Sequence, residues 1–173
     1  KIIIDPIMGD HGETYATYTQ VMCRRMKALV SMGSIVTPNL TEACILTDRP
    51  YRKKGWTREG LKEMARDIQA MGPESVVITG VNQGGYLVNV VAEGEREVSF
   101  PKTIRVGQER PGTGDVFSSV VAAAAVRGWK LEDGVRLAAS FVKQCIRRSE
   151  ELKIPTANGV CFEELMDRLT RIR

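Results

Sequence analysis

The chain has 173 residues, of which 43% are hydrophobic and 27% charged, which is a globular composition that argues against disorder. Its net charge of +4 comes from scattered Lys and Arg, without the basic stripe and interleaved aromatics that are typical of nucleic-acid binding. No apolar run is long enough to span a membrane, and the four cysteines form no C-x-x-C pair, so we expect a cytoplasmic protein with reduced thiols and with neither nucleic acid nor membrane as partner.

The first half of the chain predicts strands that alternate with helices. The apolar run at its start suits a strand buried on both faces of a parallel sheet. Asn39 and Glu42 have the spacing of a capping box, and Thr57 is the predicted cap of the next helix. The predicted elements are a strand over residues 1–5, a loop over 6–12, a helix over 18–32, a strand over 34–36, and helices over 40–46 and 58–70.

The second half of the chain predicts a small antiparallel excursion followed by helices. Its elements are a strand over residues 75–79 that ends at Gly80, antiparallel strands over 85–92 and 96–100, a strand over 103–106, and helices over 113–126, 131–150 and about 161–169. The helix at 113–126 is almost wholly Ala and Val in its second half, so we expect that half to be buried.

This order of elements predicts an α/β fold with a mostly parallel sheet. Ligands in such folds bind at the carboxyl ends of the strands. Those ends are polar in this chain, at Asp5, at Thr37 to Asn39, and at Thr79 and Gly80. We therefore expect the functional site at this edge of the sheet.

The glycine-rich turn of residues 110–117, RPGTGDVF, leads into the helix over 113–126. Pro111 prevents an earlier helix start, while Gly112 and Gly114 let a ligand approach the backbone. The first amides of the helix have no internal partner and form an anion site that suits phosphate. Asp115 then has two interpretations: it complements the helix dipole, worth roughly 0.3–1 kcal/mol, or it takes a proton from a hydroxyl that attacks a phosphate.

Other polar residues near the predicted strand ends also have two interpretations each. Asp5 and Asp10 flank a glycine-containing loop and could bind Mg²⁺ directly or through water, although Asp10 taken alone is better interpreted as a turn aspartate. Glu42 is a capping glutamate or the holder of a metal-bound water. Asn39 is a cap whose amide could also reach a phosphate, and Gly80 either terminates a strand or allows a ligand to approach.

Four stretches, in this order, resemble the ribokinase-like superfamily and, within it, the pyridoxal kinases. They are DPIMGD at residues 5–10, TPNLTEA at 37–43, VVITG at 76–80 and GTGDVF at 112–117. The resemblance implies a three-layer α/β/α fold and ATP-dependent phosphorylation of the 5′-hydroxymethyl group of pyridoxal, pyridoxamine or pyridoxine. It also implies Mg²⁺ with ATP, a monovalent cation, and a homodimer.

The resemblance further implies a role for each residue at a matching position. Asp115 would be the catalytic base, and the backbone amides of Gly112, Thr113 and Gly114 would form the anion hole for the phosphoryl group. The positions that match nucleotide-lining residues are Asp10, Tyr15, Asn39, Thr79, Gly80 and Thr113. Those that match cation-linked residues are Glu42 for Mg²⁺, and Asp5 and Thr37 for the monovalent cation.

Two other functions stay open. One is the hydroxymethylpyrimidine (phosphate) kinase activity of thiamine synthesis, although those relatives usually carry Cys where this chain has Asp115. The other is a nucleotide-binding but inactive fragment. The resemblance covers only the C-terminal part of such a kinase, so we expect residues 1–173 to be the nucleotide-binding and catalytic C-terminal part of one kinase domain. Without an N-terminal portion, we expect an exposed sheet edge and little activity unless the chain associates.

Overall fold

A computed structural model describes residues 1–170 of the chain. Contacts between Cα atoms divide the chain into two compact units, of which the first is Lys1–Lys102 and the second begins at Thr103. The elements of the first unit are β1 Ile3–Ile4, β2 Gly9–Asp10, β3 Glu13–Thr14, α1 Gln20–Val30, β4 Ile35–Val36, α2 Leu40–Leu46, α3 Arg58–Ala70, β5 Ser75–Gln83 and β6 Tyr86–Glu93.

The first unit is built on a sheet with the strand order β1-β4-β5-β6. β1, β4 and β5 run parallel, with Ile4 opposite Val36 and Val36 opposite Val76. β5 and β6 are antiparallel, with Ser75 opposite Glu93. The predicted α/β class with a mostly parallel sheet is confirmed, and β1 lies at an edge of the sheet.

Local capping sets the start of each helix in the first unit. The predicted bounds of α2 and α3 are confirmed, since Asn39 and Thr57 accept hydrogen bonds from the first-turn amides of these helices. α1 begins at Gln20 rather than at residue 18 because the Thr19 hydroxyl accepts from the Met22 amide at 3.3 Å. These caps depend on neighbours three residues away, which is why the sequence reveals them.

The predicted end of β5 at Gly80 is wrong. β5 continues to Gln83, and Gly80 lies in an irregularity of the ladder between Ile78 and Val81. Its φ of 69° is a left-handed conformation that suits glycine in a bulge. The strand continues because the chain reverses directly after it, at Gly84, into β6, which supplies an antiparallel neighbour.

Two further strand predictions are corrected. Residues 96–100 do not form a regular strand. Ser99 pairs with Val91 in an isolated antiparallel bridge. The strand predicted over residues 1–5 is limited to Ile3–Ile4.

The loop after β1 contains an unpredicted hairpin of two two-residue strands, in which Gly9 lies opposite Thr14. A Cβ on Gly9 would lie 2.1 Å from a backbone oxygen, so the hairpin requires glycine there.

Apolar side chains from α2, α3, β4, β5 and β6 form the core of the first unit, together with Met8 from the loop after β1. Its fully buried members include Met8, Val36, Leu46, Leu61, Met64, Ile68, Val76, Ile78 and Val90. The buried side chain of Met8 therefore anchors the loop after β1 to the core, in addition to the hydrogen bonds of that loop.

The second unit contains α4 Thr113–Val126, α5 Leu131–Glu151, 3₁₀ turns at Thr156–Asn158 and Glu163–Leu165, and α6 Asp167–Thr170; the short strand β7 Lys102–Ile104 crosses the unit border. α4 and α5 pack closely where Gly134 faces Ala124, since a Cβ on Gly134 would lie 2.9 Å from the Ala124 Cβ.

Two predictions for the second unit are corrected. The second half of α4 is buried on one face only, and Val126 is 76% exposed. The helix predicted near residues 161–169 is a 3₁₀ turn followed by the four residues of α6.

Within residues 1–170, no helix combines the length and apolar character needed to cross a membrane. The four cysteines are free thiols, as predicted.

Candidate functional site

Glu42 is the centre of a hydrogen-bond network at the N-terminus of α2. Its side chain is buried, with 3% of the residue exposed. Its Oε1 accepts from the Met8 amide at 3.0 Å, and its Oε2 accepts from the Asn39 amide at 2.8 Å. One carboxylate therefore ties the loop after β1 to the start of α2.

The environment of Glu42 changes its acidity. The pKa of Glu42 is raised from 4.5 to about 7: burial is the main cause and the nearby charge of Asp5 adds to it, while the amide hydrogen bonds from Asn39 and Met8 partly offset the rise. Glu42 thus titrates near neutral pH. A cation close to this carboxylate would favour its ionised form.

The first turn of α2 holds the glycine-containing loop by two more hydrogen bonds. Asn39 Oδ1 accepts from the Glu42 amide at 3.0 Å, while its Nδ2 donates to the Gly9 carbonyl at 2.8 Å. The Thr41 hydroxyl accepts from the Gly12 amide at 2.9 Å. Sequence reasoning missed Thr41, although it lies inside the predicted capping box.

Asp5 and Thr37 meet where β1 and β4 end. The Thr37 hydroxyl donates to Asp5 Oδ1 at 3.1 Å, and Thr37 is 3% exposed. The parallel pairing of β1 with β4 explains this meeting, since it aligns the carboxyl ends of both strands. The two residues matched to a monovalent cation are therefore neighbours.

Thr79 and Gly80 lie beside Asn39 although β5 does not end there. Thr79 and Asn39 form an isolated parallel bridge, and the Thr79 amide donates to the Pro38 carbonyl at 2.8 Å. The Gly80 amide donates to Asn89 Oδ1 at 3.3 Å, and Asn89 is 5% exposed. Sequence reasoning missed Asn89, a polar residue within an apolar strand.

The structure thus brings together most of the sequence-predicted residues of the first unit near the carboxyl ends of β1 and β4. Asp10 and Tyr15 lie on or next to the β2–β3 hairpin instead. Asp10 Oδ1 accepts from the His11 amide at 2.7 Å, and its side chain is 51% exposed. Tyr15 is 45% exposed, and its amide donates to the Met8 carbonyl.

In the second unit the glycine-rich turn leaves the start of α4 open. Gly112 is the N-cap residue with a φ of 81°, and no side chain caps the helix. A Cβ built on Gly112 or Gly114 would meet no atom within 4 Å. Asp115 is exposed in the first turn. The turn therefore offers amides, free approach and one carboxylate, as an anion site with a base requires.

The carboxylates of the first unit suit a hard cation. Within residues 1–170 no three His, Cys, Asp or Glu side chains are grouped as a ligand set. Burial is the main cause of the raised pKa of Glu42 and the charge of Asp5 adds to it, so a cation would relieve the repulsion between the two carboxylates. Both Glu42 oxygens already accept from amides, so this donor set fits Mg²⁺ held largely through its waters.

Residues 1–160 match the phosphomethylpyrimidine kinase family. The chain belongs to this family. The similar curated proteins include pyridoxine or pyridoxal kinases and hydroxymethylpyrimidine/phosphomethylpyrimidine kinases. The pyridoxine kinase of Bacillus subtilis is 29% identical over 154 residues, which are 86% of this chain and 55% of the relative. The hydroxymethylpyrimidine/phosphomethylpyrimidine kinase of Aquifex aeolicus is 25% identical over 152 residues, which are 87% of this chain and 58% of the relative.

Solved structures share the fold. A Bacteroides thetaiotaomicron protein described as a phosphomethylpyrimidine kinase is 30% identical with a TM-score of 0.93, over 99% of this chain and 60% of its own. Pyridoxal kinase from Lactobacillus plantarum is 24% identical with a TM-score of 0.86, over 96% of this chain and 60% of its own. The ribokinase-like α/β fold is confirmed by this likeness. The chain spans about half the length of the curated relatives it matches, 55% and 58% in these two cases.

Proposed function

We propose that this member of the phosphomethylpyrimidine kinase family transfers the γ-phosphoryl group of ATP to the hydroxymethyl group of a B6 vitamer. The observation that carries the proposal is the open glycine turn at the start of α4, with Asp115 in its first turn. Two solved relatives support it through their ligands. Pyridoxal kinase of Bacillus subtilis, 25% identical, was solved with ADP. The Bacteroides thetaiotaomicron protein, 29% identical in a second crystal form, was solved with pyridoxal.

The second unit supplies the chemistry in this proposal. The amides of Gly112, Thr113 and Gly114 bind the phosphoryl group as negative charge spreads over its oxygens. Asp115 accepts the proton of the attacking hydroxyl, which makes the oxygen a better nucleophile at the moment of transfer. Because phosphoryl transfer needs little covalent help, the positioning of these groups accounts for most of the expected catalysis.

The first unit binds the nucleotide and the cations in this proposal. Bound Mg²⁺ would neutralise charge on the phosphate oxygens, with Glu42 as its partner through water. Asp5 and Thr37 would lie near the monovalent cation. The residues of this unit that are proposed to line the nucleotide are Asp10, Tyr15, Asn39, Thr79 and Gly80.

A hydroxymethylpyrimidine is the second candidate substrate. The family description and the relative from Aquifex aeolicus favour it. Asp115 favours a B6 vitamer, because the pyrimidine kinases that the sequence resembles usually carry Cys there. A nucleotide-binding protein without activity is the third possibility. The homodimer and the cytoplasmic location stay predictions.

One assay separates these functions. The purified protein is given Mg²⁺ and ATP with pyridoxal, pyridoxamine or hydroxymethylpyrimidine, and the phosphorylated product is measured by chromatography. Even at the low rate expected of this chain when it does not associate, the two B6 vitamers should be phosphorylated at higher kcat/KM than the pyrimidine. A preference for the pyrimidine would contradict the proposed substrate. ATP binding by calorimetry without any product would favour the inactive nucleotide-binding protein.

A further inference from the structure

Arg110, directly before the glycine turn, is buried in the second unit, with 7% exposed. Its Nη1 donates to the carbonyls of Gly159 at 3.1 Å and Pro155 at 3.3 Å. Its Nη2 donates to the carbonyl of Ile154 at 3.0 Å. Its Nε is buried and has no hydrogen-bond partner among residues 1–170. Burying a guanidinium in this way costs free energy of folding, which indicates that Arg110 has a role beyond packing.

The segment that Arg110 contacts also backs the glycine turn at other points. Thr156 donates from its hydroxyl to Gln108 Oε1 at 3.1 Å, which is a second link between the same two stretches of chain. Gly159 has a φ of 83°, and a Cβ there would lie 3.4 Å from the Pro111 carbonyl oxygen. The backbone of residues 154–159 therefore lies directly against the turn.

We propose that Arg110 is a positioning residue for the phosphoryl-binding turn, an inference that rests on the proposed kinase function. Gly112 is held in a left-handed conformation although no side chain caps α4. The Thr113 hydroxyl closes the turn locally by donating to the Arg110 carbonyl at 3.1 Å, and support from outside the helix would fix the direction of its amides further. A planar guanidinium that bridges three carbonyls supplies that support, and the single ammonium of Lys has no such geometry.

The charge of Arg110 adds to this role. Its three acceptors are neutral carbonyl oxygens, so they do not cancel its positive charge. The guanidinium belongs to the residue two positions before Gly112, and a buried charge is weakly screened by solvent. It therefore favours an anion at the turn even though it does not contact one.

The test compares Arg110→Lys and Arg110→Met with Arg105→Gln as a matched control. Arg105 lies in the same stretch, but its guanidinium pairs with Glu109 at the surface. We measure kcat, KM for ATP, and hydrogen exchange of the Val116 amide, which donates to the Gly112 carbonyl at 3.1 Å and so reports on the turn. We expect Arg110→Lys and Arg110→Met to lower kcat by about 10²-fold with KM little changed, as for a misplaced catalytic group. Exchange of the Val116 amide should rise in both variants, whereas Arg105→Gln should change neither kcat nor this exchange.

A folded Arg110→Lys protein with wild-type kcat and wild-type exchange at the turn would overturn the inference, as would lower thermal stability with unchanged kcat. If neither Arg110 variant folds, Gly159→Ala disturbs the same contact with Arg110 intact, and unchanged exchange at the turn would then overturn it. A wild-type protein without phosphotransfer contradicts the proposed function alone, because the exchange comparison still decides the role of Arg110.

Discussion

Asn39 and Glu42 cap each other at the start of α2: the Glu42 amide donates to Asn39 Oδ1, and the Asn39 amide donates to Glu42 Oε2. The same Glu42 carboxylate accepts from the Met8 amide, 34 residues earlier in the chain. A local capping motif thus becomes a tertiary link between a helix start and the loop after β1. Helix stability and loop position are therefore coupled through one buried acid.

The first prediction concerns the pH dependence of stability. The folded pKa of Glu42 is about 7 against 4.5 in the unfolded chain, so the folded protein holds a proton between these values that the unfolded chain has released. This group favours the folded state fully below pH 4.5, and its contribution is lost as the pH rises through 7. The loss amounts to about 3 kcal/mol.

Urea unfolding of Glu42→Gln and wild type at several pH values measures this effect. Glutamine cannot ionise, so the stability deficit of the variant should shrink as the pH rises from 5 to 8, by up to about 3 kcal/mol. Glu63→Gln, which replaces an exposed glutamate on α3, is the control for the loss of a carboxylate that is not buried. A deficit of Glu42→Gln that does not vary with pH would contradict the raised pKa.

The second prediction separates the two hydrogen bonds of the Asn39 side chain. Asn39→Ala removes the cap of α2 and the bond from Nδ2 to the Gly9 carbonyl, which we expect to cost about 2 kcal/mol together. Asn39→Ser keeps a cap and loses only the second bond, so it should cost about 1 kcal/mol. Thermal and urea unfolding check both values. Equal losses in the two variants would mean that the cap contributes nothing, and an undiminished stability of Asn39→Ser would mean that the bond to Gly9 contributes nothing.

The third prediction tests Asp115 as the base. Asp115→Asn should lower kcat by about 10²–10⁴-fold and leave ATP affinity largely intact. Its effect on stability should be roughly 0.3–1 kcal/mol through the helix dipole. Asp133→Asn, in the first turn of α5, is matched for the dipole effect and should leave kcat unchanged. Near-normal turnover by Asp115→Asn would leave Asp115 with the dipole role alone.

The fourth prediction sets stability against activity at Gly114. A Cβ on Gly114 meets no atom within 4 Å and its φ is not positive, so Gly114→Ala should raise the free energy of unfolding by roughly 0.5–1 kcal/mol. If the proposed anion site lies at this turn, the added methyl group crowds the bound phosphoryl group, and kcat should fall by about 10²-fold. Gly60→Ala, in the first turn of α3, is the control for the effect on kcat, although its Cβ would lie 3.3 Å from the capping Thr57 hydroxyl and its gain in stability should therefore be smaller. Full activity of Gly114→Ala would argue against an anion site there.

Much of the fold follows from short-range patterns in the chain. The bounds of α2 and α3 were predicted because Asn39 and Thr57 bind amides three residues ahead. The β5–β6 hairpin was missed because Gly80 is a plausible strand end, and only the pairing with β6 makes it a bulge. Asn89 was missed for a related reason, since its contact with Gly80 depends on that pairing.

The sequence alone determined the α/β class, the capping box and the glycine turn with Asp115, since these depend on periodicity and on neighbours a few residues apart. Only the tertiary structure decided that Glu42 titrates near neutral pH and that Arg110 holds residues 154–159. Burial and hydrogen bonds across 34 to 49 residues produce these properties. Such properties depend on which distant backbone groups the fold brings to a side chain, and no local pattern encodes that.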